Sequence, residues 1–181
     1  MARRDHETQR PGLLHRIARL LRHRWAEGAA RRAFTPVLLE RLGQRVAASE
    51  RRHSGQIRIC VEAGLPASYL WRGASARERA VTLFGKLRVW DTEHNNGVLI
   101  YLLVAERAIE IVADRALARA VPAADWQAFV ARMGGAFRDG RYEDGLTEAL
   151  AEVSALLVEH FPAGQGAHDN ELPDAAVFGK Q

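Results

Sequence analysis

Apolar residues recur at helical spacing in five stretches of the chain. These stretches are residues 12–25, the segments that begin at Thr35 and Ser75, and residues 126–137 and 146–161. Thr35 precedes a proline, and Ser75 precedes Glu78 by three residues, as in a capping box. We expect five helices, each with one apolar face.

The second and third helices have predicted buried residues that can be named individually. In the second helix they are Val37, Leu38, Leu42, Val46 and Ser49. In the third helix they are Val81, Phe84, Leu87 and either Leu83 or Trp90.

Three shorter segments have the patterns of strands. Residues 56–62 alternate, with Ile57, Ile59 and Val61 on one side. Residues 97–105 are almost continuously apolar, which favours a central strand covered on both faces. Residues 108–113 follow a tight turn and should complete a hairpin. The predicted fold is α/β, a three-layer α/β/α sandwich with a small mixed sheet, preceded by an N-terminal basic amphipathic helix.

The length of 181 residues suits one domain with terminal extensions. We divide the chain into a basic amphipathic arm (1–33), an α/β/α domain (34–161) and a tail (162–181). Glycine, proline, aspartate and asparagine dominate the tail, which lacks any apolar period. We therefore expect the tail to be flexible.

Charge is distributed unevenly along the sequence. Residues 1–53 carry 13 arginines and 5 acidic residues, a net charge of +8, whereas residues 54–181 carry 13 basic and 17 acidic residues, a net charge of −4. The apolar side of residues 12–25 could pack on its own domain, on a partner protein or on an anionic membrane surface. Nucleic acid is a disfavoured partner because no basic stripe with interleaved aromatic residues follows the arm.

The sequence also predicts a location for the protein. It contains no run of eighteen apolar residues, and arginine or histidine interrupts the apolar positions of the arm. We expect a cytoplasmic protein, with peripheral attachment to the inner face of the membrane if the arm binds lipid.

Familiar catalytic motifs are missing from the sequence. There is no G-x-S-x-G, H-E-x-x-H, P-loop or G-x-G-x-x-G pattern, and no organic cofactor is expected. Because Cys60 is the single cysteine, an internal disulfide is ruled out. We expect its thiol to be packed in the interior.

Residues 91–97 (DTEHNNG) form the most polar stretch of the chain. Asp91, Glu93 and Asn95 repeat at positions 1, 3 and 5, the spacing by which a loop wraps a hard cation, although the rest of an EF-hand pattern is absent. The alternative is a structural turn in which the polar side chains cap the backbone and Asn96-Gly97 provides a bend with positive φ. The predicted hairpin should bring Asp114 towards this loop, which favours the cation.

Four blocks of sequence resemble the TPM domain family. They are residues 95–100 (NNGVLI), 106–107 (ER), 109–114 (IEIVAD) and 137–145 (FRDGRYEDG), and the resemblance covers residues 54–161. Residues 90–103 are similar to the small bacterial branch of the family. Membership implies an α/β/α sandwich and a phosphatase-like activity with calcium or another divalent cation.

The resemblance also implies a set of site residues. The metal ligands would be Asp91, Glu93, Asn95, Asn96 and Asp114. An enzyme would need an activated water and an oxyanion site, for which Arg107 and Arg138 are the candidates. Two functions follow: a non-catalytic accessory factor with a protein partner and a divalent-cation site, or a divalent-metal-dependent phosphatase acting on phosphomonoesters.

Overall fold

The computed structural model describes residues 13–164 and 170–179. Residues 1–12 of the predicted arm, and residues 165–169 and 180–181 of the predicted tail, lie outside this part. The helices are α1 (Leu13–Ala33), α2 (Pro36–Glu50), α3 (Ala67–Trp71), α4 (Ala76–Lys86), α5 (Arg115–Ala120), α6 (Ala123–Arg138) and α7 (Tyr142–His160). The strands are β1 (Ile57–Glu62), β2 (Val98–Leu103), β3 (Ala108–Ala113) and β4 (Val177–Gly179).

The four strands form one mixed sheet in the order β3-β2-β1-β4. β1 runs parallel to β2, with Ile57 opposite Val98, as expected of a βαβ unit. β2 and β3 form the predicted antiparallel hairpin, joined by a 3₁₀ turn over Val104–Glu106.

Helices cover both faces of this sheet, which confirms the predicted sandwich. Ile57, Ile59 and Val61 face a core shared with α2, α5, α6 and α7. Cys60 and Tyr101 face a second core shared with α3 and α4. Both faces of β2 are therefore covered, as its unbroken apolar sequence predicts.

Both predicted start signals are present. The Thr35 hydroxyl accepts a hydrogen bond from the Leu38 backbone N–H, and Ser75 and Glu78 form a reciprocal capping box. The prediction of burial is wrong for two residues, since Val37 and Val81 are exposed. Each lies about 100° around its helix from an adjacent buried residue, which turns it towards solvent.

The tail prediction is wrong for residues 170–179. Leu172 is buried, and its backbone N–H and that of Glu171 donate hydrogen bonds to Gln56 Oε1. β4 then pairs with β1 in parallel, with Cys60 opposite Val177. One buried leucine and a three-residue strand form too short a pattern for periodicity to reveal.

Glu50 at the end of α2 gives the fold a pH dependence. Burial is the main cause that raises the pKa of Glu50 from 4.5 to about 8, and Asp174 raises it further, while the hydrogen bond from the Ile57 N–H opposes the rise. The folded protein thus keeps a proton that the unfolded chain loses near pH 4.5.

The retained proton on Glu50 contributes to the stability of the folded state. This contribution is complete below pH 4.5 and is lost as the pH rises to about 8. We expect urea unfolding to show wild type losing stability relative to Glu50→Gln across this range. Asp174→Asn should shrink the difference, because it removes a neighbouring carboxylate. A constant difference between wild type and Glu50→Gln would contradict the assignment.

Candidate cation site

The polar loop between α4 and β2 carries the candidate site. Asn95 adopts a left-handed backbone conformation with φ of 52°. Its carbonyl accepts a hydrogen bond from the Ala116 N–H at 3.0 Å, and the Gly97 carbonyl accepts one from the Asp114 N–H at 2.8 Å. These two bonds hold the loop against the start of α5, as the hairpin geometry predicts for Asp114.

Asn96 lies between these two bonds, and its side chain is completely buried. Its backbone N–H donates to Thr92 Oγ1, and its side-chain amide donates to Ser54 Oγ at 3.3 Å. The amide nitrogen therefore has a partner, and this contact points to the oxygen, Oδ1, as the atom available for another interaction.

Asp114 caps the N-terminus of α5 and is only 8% exposed. Its Oδ1 accepts a hydrogen bond from the Arg115 N–H at 2.7 Å. Within the described residues, Asp114 Oδ2 and Asn96 Oδ1 are the two buried side-chain atoms that lack a hydrogen-bond partner. Buried oxygens of this kind are rare and need an explanation.

The remaining predicted ligands are engaged elsewhere or exposed. Asp91 is about half exposed and pairs with Arg88 at 2.8 Å. Asn95 Oδ1 accepts a hydrogen bond from Arg115 Nε at 2.8 Å. Glu93 is exposed, and in the described part of the chain no three His, Cys, Asp or Glu side chains are grouped closely enough to hold a metal ion.

Two residues that contact the loop were not predicted from the sequence. Glu171 accepts a hydrogen bond from the Glu93 N–H at 2.8 Å, and Ser54 contacts Asn96. Glu171 belongs to the segment predicted to be flexible, and Ser54 belongs to a turn. No spacing in the sequence connects either of them with residues 91–97.

The two arginines proposed for anion binding lie away from this loop. Arg107 donates a hydrogen bond to the backbone carbonyl of Arg138, so these two residues do come together. However, β2 pairs with β3 from Val98 opposite Ala113 to Leu103 opposite Ala108. Arg107 is at the turn end of this hairpin and the loop is at the other, about 17 Å apart for strands of this length.

Four other ionisable side chains, Glu62, Arg79, Tyr101 and Cys60, form a buried cluster on the α3–α4 side of the sheet. Arg79 binds Glu62 through two hydrogen bonds, and Tyr101 donates a third to Glu62 at 2.9 Å. Burial, followed by the charge of Glu62, raises the pKa of the Cys60 thiol to about 12. The thiol therefore stays protonated and unreactive near neutral pH, as a packed cysteine should.

Two concave surfaces of the described structure have no lining residue in the loop. One cavity of about 630 Å³ lies between β3, α5 and α6 and is lined by Ile111, Val121 and Trp126. Another, of about 660 Å³, lies beside α1 and is lined by Arg24, Phe34 and Phe178. The first cavity is also lined by Ala113, next to Asp114 in sequence, but neither cavity is lined by Asn96 or Asp114.

The fold is that of an α/β/α sandwich with a polar corner where a loop meets the end of a hairpin. A family model described as the TPM domain matches residues 31–156, and the chain belongs to this family. A search of curated proteins finds no match.

Two solved structures share the fold. The BA42 protein from the psychrophilic bacterium Bizionia argentinensis, determined by NMR, is 23% identical with a TM-score of 0.70, over 81% of this chain and 95% of that protein. The N-terminal domain of a P. gingivalis protein, also determined by NMR, is 19% identical with a TM-score of 0.57, over 73% of this chain and 83% of that domain.

The structural-turn interpretation predicts a positive φ at Asn96-Gly97, but Asn95 makes that bend instead. Position 97 requires glycine for a different reason, which is close packing. A Cβ atom at position 97 would lie 1.9 Å from the Val89 carbonyl oxygen, a backbone atom that cannot move aside cheaply.

We expect Gly97→Ala to lower the free energy of unfolding by about 3 kcal/mol or more, or to prevent folding. Gly85→Ala is the matched control, because a Cβ atom there meets nothing within 4 Å. In a helix this change should stabilise by up to about 1 kcal/mol. Equal effects of the two substitutions in urea unfolding would contradict the packing argument.

Proposed function

We propose that this TPM-domain protein is a non-catalytic accessory factor that binds a divalent cation through Asn96 and Asp114. The observation that carries the proposal is the pair of buried, unpaired oxygens, Asn96 Oδ1 and Asp114 Oδ2. Each unsatisfied buried polar atom costs roughly 1–3 kcal/mol. A bound cation would remove that cost for both atoms at once.

The chemistry of the two oxygens favours a hard cation. Calcium binds carboxylate, amide and carbonyl oxygens in flexible geometries, and magnesium binds one or two carboxylates with several waters. Asp114 supplies a carboxylate and Asn96 an amide oxygen, while hydrogen bonds at Asp114 Oδ1 and at the Asn96 amide nitrogen hold both groups in place. The ion would supply structural cross-linking between the loop and α5.

An accessory role is favoured over catalysis by where the other candidate groups lie. A phosphatase would need an oxyanion-binding arginine beside the cation, whereas Arg107 and Arg138 are near the other end of the β2–β3 hairpin. The metal-dependent phosphatase stays the alternative prediction. A protein partner of the accessory factor also stays a prediction.

The cation is tested by thermal unfolding of the full chain with calcium, magnesium and manganese in turn. An ion at about 100 times its dissociation constant stabilises a protein by about 2.7 kcal/mol. For a protein of this size, that corresponds to a rise in Tm of roughly 5–10 °C. We expect Asp114→Ser to abolish the rise, since serine can still cap α5 but lacks the second oxygen.

The matched control is Asp91→Asn, which alters a half-exposed carboxylate already paired with Arg88. We expect this variant to keep the rise in Tm. A rise that survives in Asp114→Ser, or no rise with any of the three ions, would contradict the site.

The accessory role is tested separately by hydrolysis of p-nitrophenyl phosphate. We expect the purified protein with each of the three ions to show no more turnover than Asp114→Ser. Metal-dependent turnover that disappears in Asp114→Ser would support the phosphatase instead.

A further inference from the structure

Helix α1 presents an apolar stripe to solvent. Ile17, Leu20, Leu21 and Trp25 are all exposed, with Leu21 at 52% and Trp25 at 79%. They follow the spacing i, i+3, i+4 and i+8, which places them along one side of the helix. The apolar side predicted from the sequence exists, but these residues do not pack on the domain.

The opposite side of α1 binds the domain instead. Residues two apart in a helix point in nearly opposite directions, so Arg19 lies opposite Ile17 and His23 lies opposite Leu21. Arg19 Nε donates to Glu106 Oε1 at 2.8 Å, and Arg19 also donates to the Ala74 carbonyl at 2.7 Å. The side that docks is therefore largely polar.

His23 reinforces this attachment. Its Nδ1 accepts a hydrogen bond from the Leu65 backbone N–H at 2.9 Å, which leaves the hydrogen on Nε2 to face Glu106 Oε1 at 3.0 Å. The hydrogen bond with His23, more than that with Arg19, lowers the pKa of Glu106 to about 2. Further along α1, Ala30 is buried in the core. The helix is thus held in an orientation that turns the stripe away from the domain.

The charges around the stripe are mostly positive, and the one acidic residue of α1, Glu27, is paired with Arg31 at 2.6 Å. Residues 8–26 contain five arginines and no acidic residue. Of these, Arg19 is bound to Glu106, and Arg22 lies 3.8 Å from the same carboxylate oxygen while its side chain stays 55% exposed. Arg24 is exposed and lies one turn after Leu20 and Leu21, within the stripe itself. A second copy docked on this face would bring the arginines of both copies together without acidic residues from the same segment to pair with them.

We propose that this face of α1 binds an anionic membrane surface, with the helix lying in the interface. Leucine and tryptophan on one side and arginine beside them form the pattern that interfacial helices use. Tryptophan favours the headgroup level, and an anionic surface attracts each arginine that lies near it. In the described part of the chain no helix is long and apolar enough to cross a membrane.

This binding is independent of the proposed cation site. Glu106, to which α1 is attached, follows the last residue of β2, whereas Asn96 precedes its first residue. Both surfaces can therefore be occupied at once. Failure of one proposal leaves the other unchanged.

The test is cosedimentation of the full chain with vesicles of phosphatidylcholine containing phosphatidylglycerol, compared with phosphatidylcholine alone. We expect binding to the anionic vesicles only, and weaker binding in high salt. The double variant Leu21→Ser, Trp25→Ser keeps every charge, and its affinity for the vesicles should fall by about tenfold or more. Val81→Ser is the matched control, because Val81 on α4 is 51% exposed, close to the value for Leu21.

Three results would overturn the proposal. The first is no binding to anionic vesicles at low salt. The second is equal binding by wild type and the double variant, which would assign the interaction to charge alone. The third is a wild-type dimer in solution that the double variant dissociates, since the stripe would then be covered by a second copy. Thermal unfolding of the variants should match wild type, because both substituted side chains are exposed.

Discussion

The burial of β2 is the constraint on which the rest of the structure depends. All six residues from Val98 to Leu103 are buried, so the strand needs apolar cover on both faces and a hydrogen-bonded strand on each side. β1 and β3 satisfy its backbone, α4 covers one face, and α7 contributes to the other. The sandwich is therefore the arrangement in which this one sequence segment loses no hydrogen bond and exposes no apolar side chain.

The same strand sets the positions of the two surfaces that we propose to be functional. Its first residue follows the polar loop, and β3 returns to place Asp114 beside that loop. Its last residue leads into the 3₁₀ turn, where Glu106 receives Arg19 and His23 of α1. The rigid hairpin thus separates a polar corner from a helix attachment by the length of one strand.

Sequence patterns predicted the elements of the fold but not every contact between them. Helical and alternating periods, the capping box at Ser75 and the apolar run of β2 are local signals, and the structure agrees with them. β4 was missed because its burial depends on pairing with β1 and on the Gln56 side chain, both distant in sequence. Apolar periodicity also located the stripe of α1 correctly. It could not show that the helix docks by its other side, since that depends on Glu106, more than eighty residues away.

The candidate site shows the same division between local and distant information. Spacing drew attention to the whole loop, and the hairpin added Asp114, but spacing could not distinguish solvated carboxylates from buried ones. The structure makes that distinction, because Asp91 is ion-paired near the surface while Asn96 and Asp114 are enclosed. Asp114 could cap α5 with one oxygen, as serine or threonine does, yet it carries a second oxygen that is buried without a partner. Capping alone leaves the cost of that second oxygen unexplained, and the cation that we propose would remove it.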